Sequence, residues 1–312
     1  MRFMRFLAAT PHIPFMRYKG ICFVLSALLM LGSLGSLLTQ GLNFGIDFRG
    51  GILMEIRTPQ PANLSEMRST LGQLGLGEVS LQEFGADTDV LIRIQQQDGG
   101  EEGQQLAIEA VRAALGDSVD YRRVEFVGPK VGAELIRDGI MAVLFALSAI
   151  LIYIWFRFEW QFGVGGVLTL VHDVLITIGL FSVLQLEFNL STVAAILTIA
   201  GYSINDTVVV YDRIRENLRK YKKLDITGLC DLSLNDTLSR TLLTSSTTIL
   251  ALIALFAFGG PVVRDFSGAL IFGILIGTYS SMFIATPVLT YMNLRRDSDN
   301  SAEDAGKAST AG

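Results

Sequence analysis

His172 and Asp173 stand side by side in the middle of an otherwise apolar run from Phe162 to Leu184. Asp206, preceded by Asn205, stands in a second such run from Leu190 to Tyr211. A carboxylate in hydrocarbon costs at least about 2.5–3.5 kcal/mol on insertion scales. Unless a counter-charge, a proton or water offsets that cost, spans exclude such residues, so their presence marks a place for moving protons, ions or substrate. Arg240 opens a later apolar run, and at about 1.5 Å per residue its level falls within roughly 8 Å of that of Asp206. An Asp206–Arg240 pair would keep the carboxylate ionised, and protonation would release the arginine. The same pair would also serve as a static link between two charges, and Arg240 alone would serve as a snorkelling anchor. His172 and Asp173 project about 100° apart on a helix, so they do not share one narrow face. They suit a proton relay or an interhelical lock, or else a fixed hydrogen bond that sets packing.

Positioning these groups takes a membrane. Half of the 312 residues are hydrophobic and only 18% are charged, below the roughly 25% of a soluble domain, and the mean hydropathy is +0.46. A polytopic α-helical membrane protein is the first reading, and a soluble enzyme with buried helices is disfavoured. Six stretches are long enough to cross a core of about 30 Å, over residues 20–39, 139–156, 162–184, 190–211, 241–260 and 266–292. The first resembles a signal peptide, but its length predicts an uncleaved transmembrane helix 1 over 20–39. Lys and Arg crowd the tail 1–19 (Arg2, Arg5, Arg17, Lys19), the segment 212–240 and the residues Arg295 and Arg296. The segment 185–189 has none, and 259–265 has only Arg264. The positive-inside rule therefore predicts two cytoplasmic termini and a basic cytoplasmic loop over 212–240, in which Ile214, Leu218 and Tyr221 have helical spacing. Residues 138–293 then hold helices 2–6, and the Ser-, Ala- and Asp-rich tail over 294–312 is expected to be disordered.

Residues 40–137 lie on the far side of the membrane in this topology. Gly51–Thr58 alternates as a strand, with Ile52, Met54 and Ile56 on one face. Asn63, with Glu66 three residues on, caps a helix to about Leu74. Val79–Phe84 and Val90–Ile94 read as strands about the turn Gly85-Ala86-Asp87, Glu101–Leu115 as an amphipathic helix and Val119–Val127 as a last strand. The order β-α-β-β-α-β predicts a ferredoxin-like α+β periplasmic domain between helices 1 and 2. It has no histidine, P-loop or Cys/His cluster, so contact rather than catalysis is expected, with no metal and no cofactor. Cys22 and Cys230 fall outside it and indicate no disulfide framework.

Two further patterns concern packing. Thr244, Ser245, Ser246, Thr247 and Thr248 either line a hydrated path towards Asp206 or bond to the carbonyls of their own helix. Gly273 and Gly277 form a GxxxG pair that lets helices approach closely. An intramembrane aspartyl hydrolase built on Asp173 and Asp206 is disfavoured. Two carboxylates sharing a proton sit about 3 Å apart, and here their levels differ by roughly 7 Å.

Several segments in order resemble one family. Gly45-Ile46-Asp47-Phe48-Arg49-Gly50-Gly51 follows the first span, and Val124-Glu125-Phe126-Val127-Gly128-Pro129 leads into the second. Phe156-Arg157-Phe158-Glu159-Trp160, the His172-Asp173 pair, Gly201 to Thr207, Asp212 to Asn217, Arg240-Thr241-Leu242 and Phe258-Gly259-Gly260-Pro261 continue the match over roughly residues 20–293. Together they resemble the SecD/SecF family of the resistance-nodulation-division superfamily, its SecF branch in particular.

The resemblance implies a multi-pass protein of the bacterial inner membrane and no enzyme. It implies an accessory role in Sec protein export, driven by the proton-motive force. The partners it implies are SecD, the SecYEG channel (with YajC), the translocating unfolded polypeptide and membrane lipid, but no nucleic acid. It gives Asp206 the part of the intramembrane carboxylate of the proton path and Arg240 that of its partner. Asp47, Phe48, Gly50, Gly51, Gly128 and Pro129 are its motif landmarks. A proton-coupled small-molecule efflux transporter of the same superfamily is the alternative.

Overall fold

The computed structural model describes residues 12–77, 79–116, 118–259, 261–292 and 294. Arg2 and Arg5 of the N-terminal tail, Gly260 of the Phe258–Pro261 landmark, and the C-terminal tail from Arg295 onward, including Arg296, lie outside the described residues. The chain divides into two compact units. One holds Met1–Gly41, Phe145–Gln185 and Ala194–Gly312, and the other Leu42–Leu144 with Leu186–Val193.

In the second unit, β1 (Asn43–Phe44) and the single turn α2 (Ile46–Arg49) lead into β2 (Gly51–Arg57). Helix α3 (Leu64–Gly72), strands β3 (Val79–Phe84) and β4 (Ala86–Ile94), helix α4 (Gly100–Leu115) and strand β5 (Asp120–Val127) follow. The sheet order is β3-β4-β2-β5, with every pair antiparallel. That is the ferredoxin-like arrangement. Its cause is the alternation noted in the sequence: Ile52, Met54 and Ile56 of β2 and Val90 and Ile92 of β4 are fully buried, beneath Leu71 of α3 and Val111 of α4. Asn63 caps α3 by accepting from the Glu66 N–H at 3.2 Å. The turn after β3 is shorter than expected. Phe84 pairs with Ala86, so Gly85 alone makes it, at φ +74°. A second, two-stranded parallel pairing was not legible: Asn43 and Phe44 align with Glu187 and Phe188 of β6 (Glu187–Phe188).

Six helical segments are each long and apolar enough to cross a membrane, among the described residues; the second of them up to Leu144 and the fourth up to Val193 belong to the sheet-containing unit, and the rest to the other. The six are α1 (Lys19–Thr39), α5 (Pro129–Arg157), α6 (Trp160–Leu184), α7 (Leu190–Lys220), α8 (Ile226–Phe258) and α9 (Pro261–Ser280). The last continues through a π-turn at Ser281–Ala285 into α10 (Thr286–Leu289). The basic segment over 212–240 is mostly helical, in keeping with the helical spacing of Ile214, Leu218 and Tyr221. Helix α7 runs on to Lys220, a five-residue turn follows, and α8 starts at Ile226 with the Asp225 carboxylate accepting from the Gly228 N–H. The reason is an apolar seam. Ile214, Leu229 and Leu234 are buried, and Asn217 donates to Ser233 Oγ at 2.9 Å and Arg213 to Asp236 at 2.9 Å. This hairpin extends the bundle. Residues 12–19, read as tail, join it too: Phe15 and Met16 are buried against that seam, and the Ile13 N–H donates to Asn235 at 2.9 Å.

Candidate functional site

Asp173 is the centre of a buried polar cluster that ties three helices. On α6, His172 Nδ1 lies 2.7 Å from Asp173 Oδ1. The other carboxylate oxygen accepts from Ser203 Oγ of α7 and, at 2.8 Å, from Ser280 Oγ at the end of α9. All four residues are buried, Asp173 and Ser280 completely. A carboxylate that receives several hydroxyl and imidazole donors is stabilised where bare hydrocarbon would reject it. The imidazole bonds to the carboxylate of the next residue on its own helix, the fixed hydrogen bond that was one reading of the pair. His172 Nε2 has no hydrogen-bond partner among the described residues, and the ring lies 6.2 Å from that of Tyr279.

The cluster continues along the α7–α9 seam. Thr207 Oγ1 and Ser281 Oγ are 2.8 Å apart, and Thr286 Oγ1 donates to the Ser281 carbonyl five residues back, spanning the π-turn. Close approach of the helices depends on the GxxxG pair. A Cβ on Gly273 would lie 2.3 Å from Ile199 Cδ1, and one on Gly277 3.0 Å from Ser203 Cβ. Ser203, Thr207, Ser280 and Ser281 were not singled out as site residues. Their signal was available: each is a hydroxyl in an apolar span at the level of an acid.

Asp206 sits one turn after Ser203 on the same helix. It is only 3% exposed, and its Oδ2 has no hydrogen-bond partner among the described residues. The expected ion pair with Arg240 is not made. Arg240 lies near enough to act on the carboxylate through space, but its side chain is exposed and enters no salt bridge or hydrogen bond among the described residues. Asn205 is also exposed. It continues a stripe of small and polar residues, Ala194, Thr198, Gly201 and Asn205, along one exposed face of α7. The structure thus brings His172 and Asp173 together and leaves Asp206, Arg240 and Asn205 outside that cluster. The two aspartates share no hydrogen bond, so the aspartyl-hydrolase geometry is absent. In the Thr244–Thr248 run, Thr244, Thr247 and Thr248 donate to carbonyls of their own helix, while Ser245 Oγ meets Thr278 Oγ1 of α9 at 2.8 Å.

The landmark residues of the other unit have structural work. Asp47 accepts from the Leu190 N–H at 2.9 Å, capping α7 from a distance in sequence. Phe48 is buried and packs on Phe44 and Phe188, with ring centroids 5.8 and 6.0 Å away. Gly50 and Gly51 hold φ values of +73° and +115°, and a Cβ on Gly51 would come within 2.5 Å of the Ile94 carbonyl. Gly128 accepts from the Gly132 N–H in the first turn of α5, which Pro129 opens.

Residues 107–295 match the family described as protein export membrane protein SecD/SecF, C-terminal, and residues 35–62 match the SecD/SecF GG motif. The chain belongs to the SecD/SecF family. Among curated relatives, the protein translocase subunit SecF of Rickettsia felis is 50% identical over 297 residues, 94% of this chain and 96% of that one. Its counterpart in Rickettsia prowazekii is 48% identical over 94% of this chain and 95% of the relative. Among solved structures, SecDF from Thermus, titled a translocon-associated membrane protein, superposes with a TM-score of 0.82 at 38% identity. A SecDF in a super-membrane-facing form gives 0.64 at 36%. The chain covers 90% and 95% of itself in these two superpositions but only 38% and 40% of the SecDF chains. SecD/SecF membership, with six apolar helices, makes it a multi-pass membrane protein. The relatives' names concern translocation of protein and lend nothing to the efflux alternative.

Proposed function

We propose that this chain is the SecF-type half of a SecDF assembly, an accessory subunit of Sec protein export that draws on the proton-motive force through Asp206. The observation that carries the proposal is a buried carboxylate with an unpartnered oxygen inside an apolar helix, beside an arginine that is close but unpaired. A buried polar atom left without a partner is costly and calls for an explanation. A site that takes up and releases a proton supplies one. Moving one charge through 100 mV is worth about 2.3 kcal/mol, enough to tip a balanced pair of conformations strongly.

Asp206 is the titrating group in this mechanism, Arg240 its counter-charge in one state, and Asn205 a neighbour on the face turned towards the partner. The His172–Asp173 cluster, tied to α7 and α9, holds the core on which that switching takes place. SecD is the partner for the exposed small and polar stripe on α7, and its larger external domain complements the ferredoxin-like one here. Both termini lie in the cytoplasm and the sheet unit in the periplasm. SecYEG with YajC and the emerging unfolded polypeptide complete the assembly. Within the family's role as a translocase subunit, this chain works by conformational coupling and carries out no bond chemistry.

The test is export of a reporter polypeptide into inner-membrane vesicles that carry this chain with SecD, under a proton gradient and then under a sodium gradient. Asp206→Asn, with normal membrane insertion, should abolish the gradient-dependent part of export. Undiminished export from that variant would remove Asp206 from the mechanism, and drive by sodium alone would reassign the ion.

A further inference from the structure

Between the C-terminal end of α5 and the last turns of α7 the bundle carries a cleft of about 530 Å³, lined by Arg157, Asp212, Arg215, Glu216, Arg219 and Lys220. Four of these are basic and two acidic. The basic character of this segment already follows from topology, but its arrangement does not. Arg157 donates both ways to the Asp212 carboxylate, at 2.7 and 2.8 Å. Its guanidinium lies 5.0 Å above the Phe158 ring, and that of Arg215 lies 5.6 Å from the same ring. Arg215 also donates to the Arg157 carbonyl at 3.4 Å. Two planar forks are thereby held in place over one buried aromatic. Glu216 is engaged by Arg213, whereas Arg219 and Lys220, both exposed, meet no acid among the described residues. The cleft therefore presents uncompensated positive charge next to pre-ordered guanidinium groups, the donor set that grips a phosphodiester.

The surroundings say which phosphodiester. Trp155, Phe156 and Trp160 flank Arg157 and are 73%, 85% and 60% exposed. They stand where one apolar helix ends and the next begins. Exposed tryptophans at the ends of spans lie among lipid headgroups. We infer that this cleft is a binding site for the headgroup of an anionic phospholipid, with Arg215, Arg219 and Lys220 on the phosphate and Trp155 and Trp160 against the acyl-chain boundary.

The chain's only two tryptophans are these two, so its intrinsic fluorescence reports on lipid beside Arg157, at the edge of the cleft. The full chain is placed in phosphatidylcholine nanodiscs containing a minor fraction of brominated phosphatidylglycerol or, separately, brominated phosphatidylcholine. With two uncompensated cations beside the headgroup, the anionic quencher should be favoured about tenfold or more, and less so in high salt. The double variant Arg219→Gln/Lys220→Gln should bring the two quenchers to parity, while Arg219→Lys/Lys220→Arg keeps the preference. Inorganic phosphate at millimolar concentration should leave the preference unchanged. Equal quenching by both lipids in the wild type would overturn the site. So would an undiminished preference in the glutamine variant, which would mean diffuse attraction by the whole basic surface. Loss of the preference on adding inorganic phosphate would make it a free-anion site and overturn its assignment to lipid.

Discussion

Asp173 and Asp206 are carboxylates in adjacent helices of one bundle, yet they are kept in opposite conditions. Asp173 is completely buried and both its oxygens are engaged, by an imidazole and two hydroxyls from three helices. Asp206 is nearly as buried, but one oxygen has no partner and the nearby arginine stays outside contact. A fully satisfied buried network rigidifies its surroundings, whereas a half-satisfied one is held at a cost. The contrast separates a fastening from a moving part, which the mere presence of acids in spans cannot do.

Exchanging the properties of the two sites breaks the comparison most directly. Asp206→Asn should eliminate gradient-dependent export while leaving the thermal stability of the purified protein near wild type. Asp173→Ala should act the other way round. It strips the partner from His172 Nδ1 and Ser203 Oγ and a second contact from Ser280, and leaving buried polar groups unpaired should lower stability by about 2–4 kcal/mol. Thermal unfolding in detergent reads both, and similar losses for the two variants would erase the distinction.

A smaller effect is expected from Gly273→Val, which drives side-chain atoms into Ile199 and so separates α9 from α7. Overpacking of this kind costs about 1–3 kcal/mol, and cysteine cross-linking between those helices should fall in parallel. Asp47→Ala removes a cap from α7 and should cost about 1 kcal/mol, read as faster amide exchange in the first turn after Leu190.

The smallest effect belongs to the sheet unit and is one of pH. The Arg57 guanidinium, which donates to Asp89 with one bond at 2.6 Å, holds that carboxyl below the usual carboxylate range. The folded-state value is depressed, so the stabilisation is fully present above the unfolded value of about 4. It is lost as the pH falls through the lower, folded one. Protection of β2 and β4 amides should therefore decline in acid, and Asp89→Asn should flatten that decline.

The number of spans and the ferredoxin-like order were legible because both rest on periodicity and length. Two-residue strands such as Asn43–Phe44 carry no such signal, and their pairing across more than 140 residues is a tertiary outcome. After Tyr211 the helical spacing of Ile214, Leu218 and Tyr221 is legible, but charge density, which sets topology, masks the apolar seam that Ile214 forms with Leu229 and Leu234. Of the candidate site, the importance of each acid was readable from its cost in lipid. Its partner was not. Counting residues puts Arg240 within about 8 Å of the level of Asp206, but side-chain reach depends on helix rotation, which sequence spacing leaves free. The hydrogen bond between His172 and Asp173 likewise depends on side-chain torsions rather than on the helical angle between their Cβ atoms.

The π-turn at Ser281–Ala285 has a consequence for the helix beyond it. One surplus residue in a turn offsets every later position by about 100° from where an unbroken α-helix would carry it. That offset aims Thr286, Pro287 and Leu289 inward, where they are buried. With regular geometry throughout, the azimuth that presents Ser280 to Asp173 would swing Leu289 out of the cluster it shares with Phe15 and Met16. A single inserted residue lets one helix serve two faces that a uniform pitch would set out of phase.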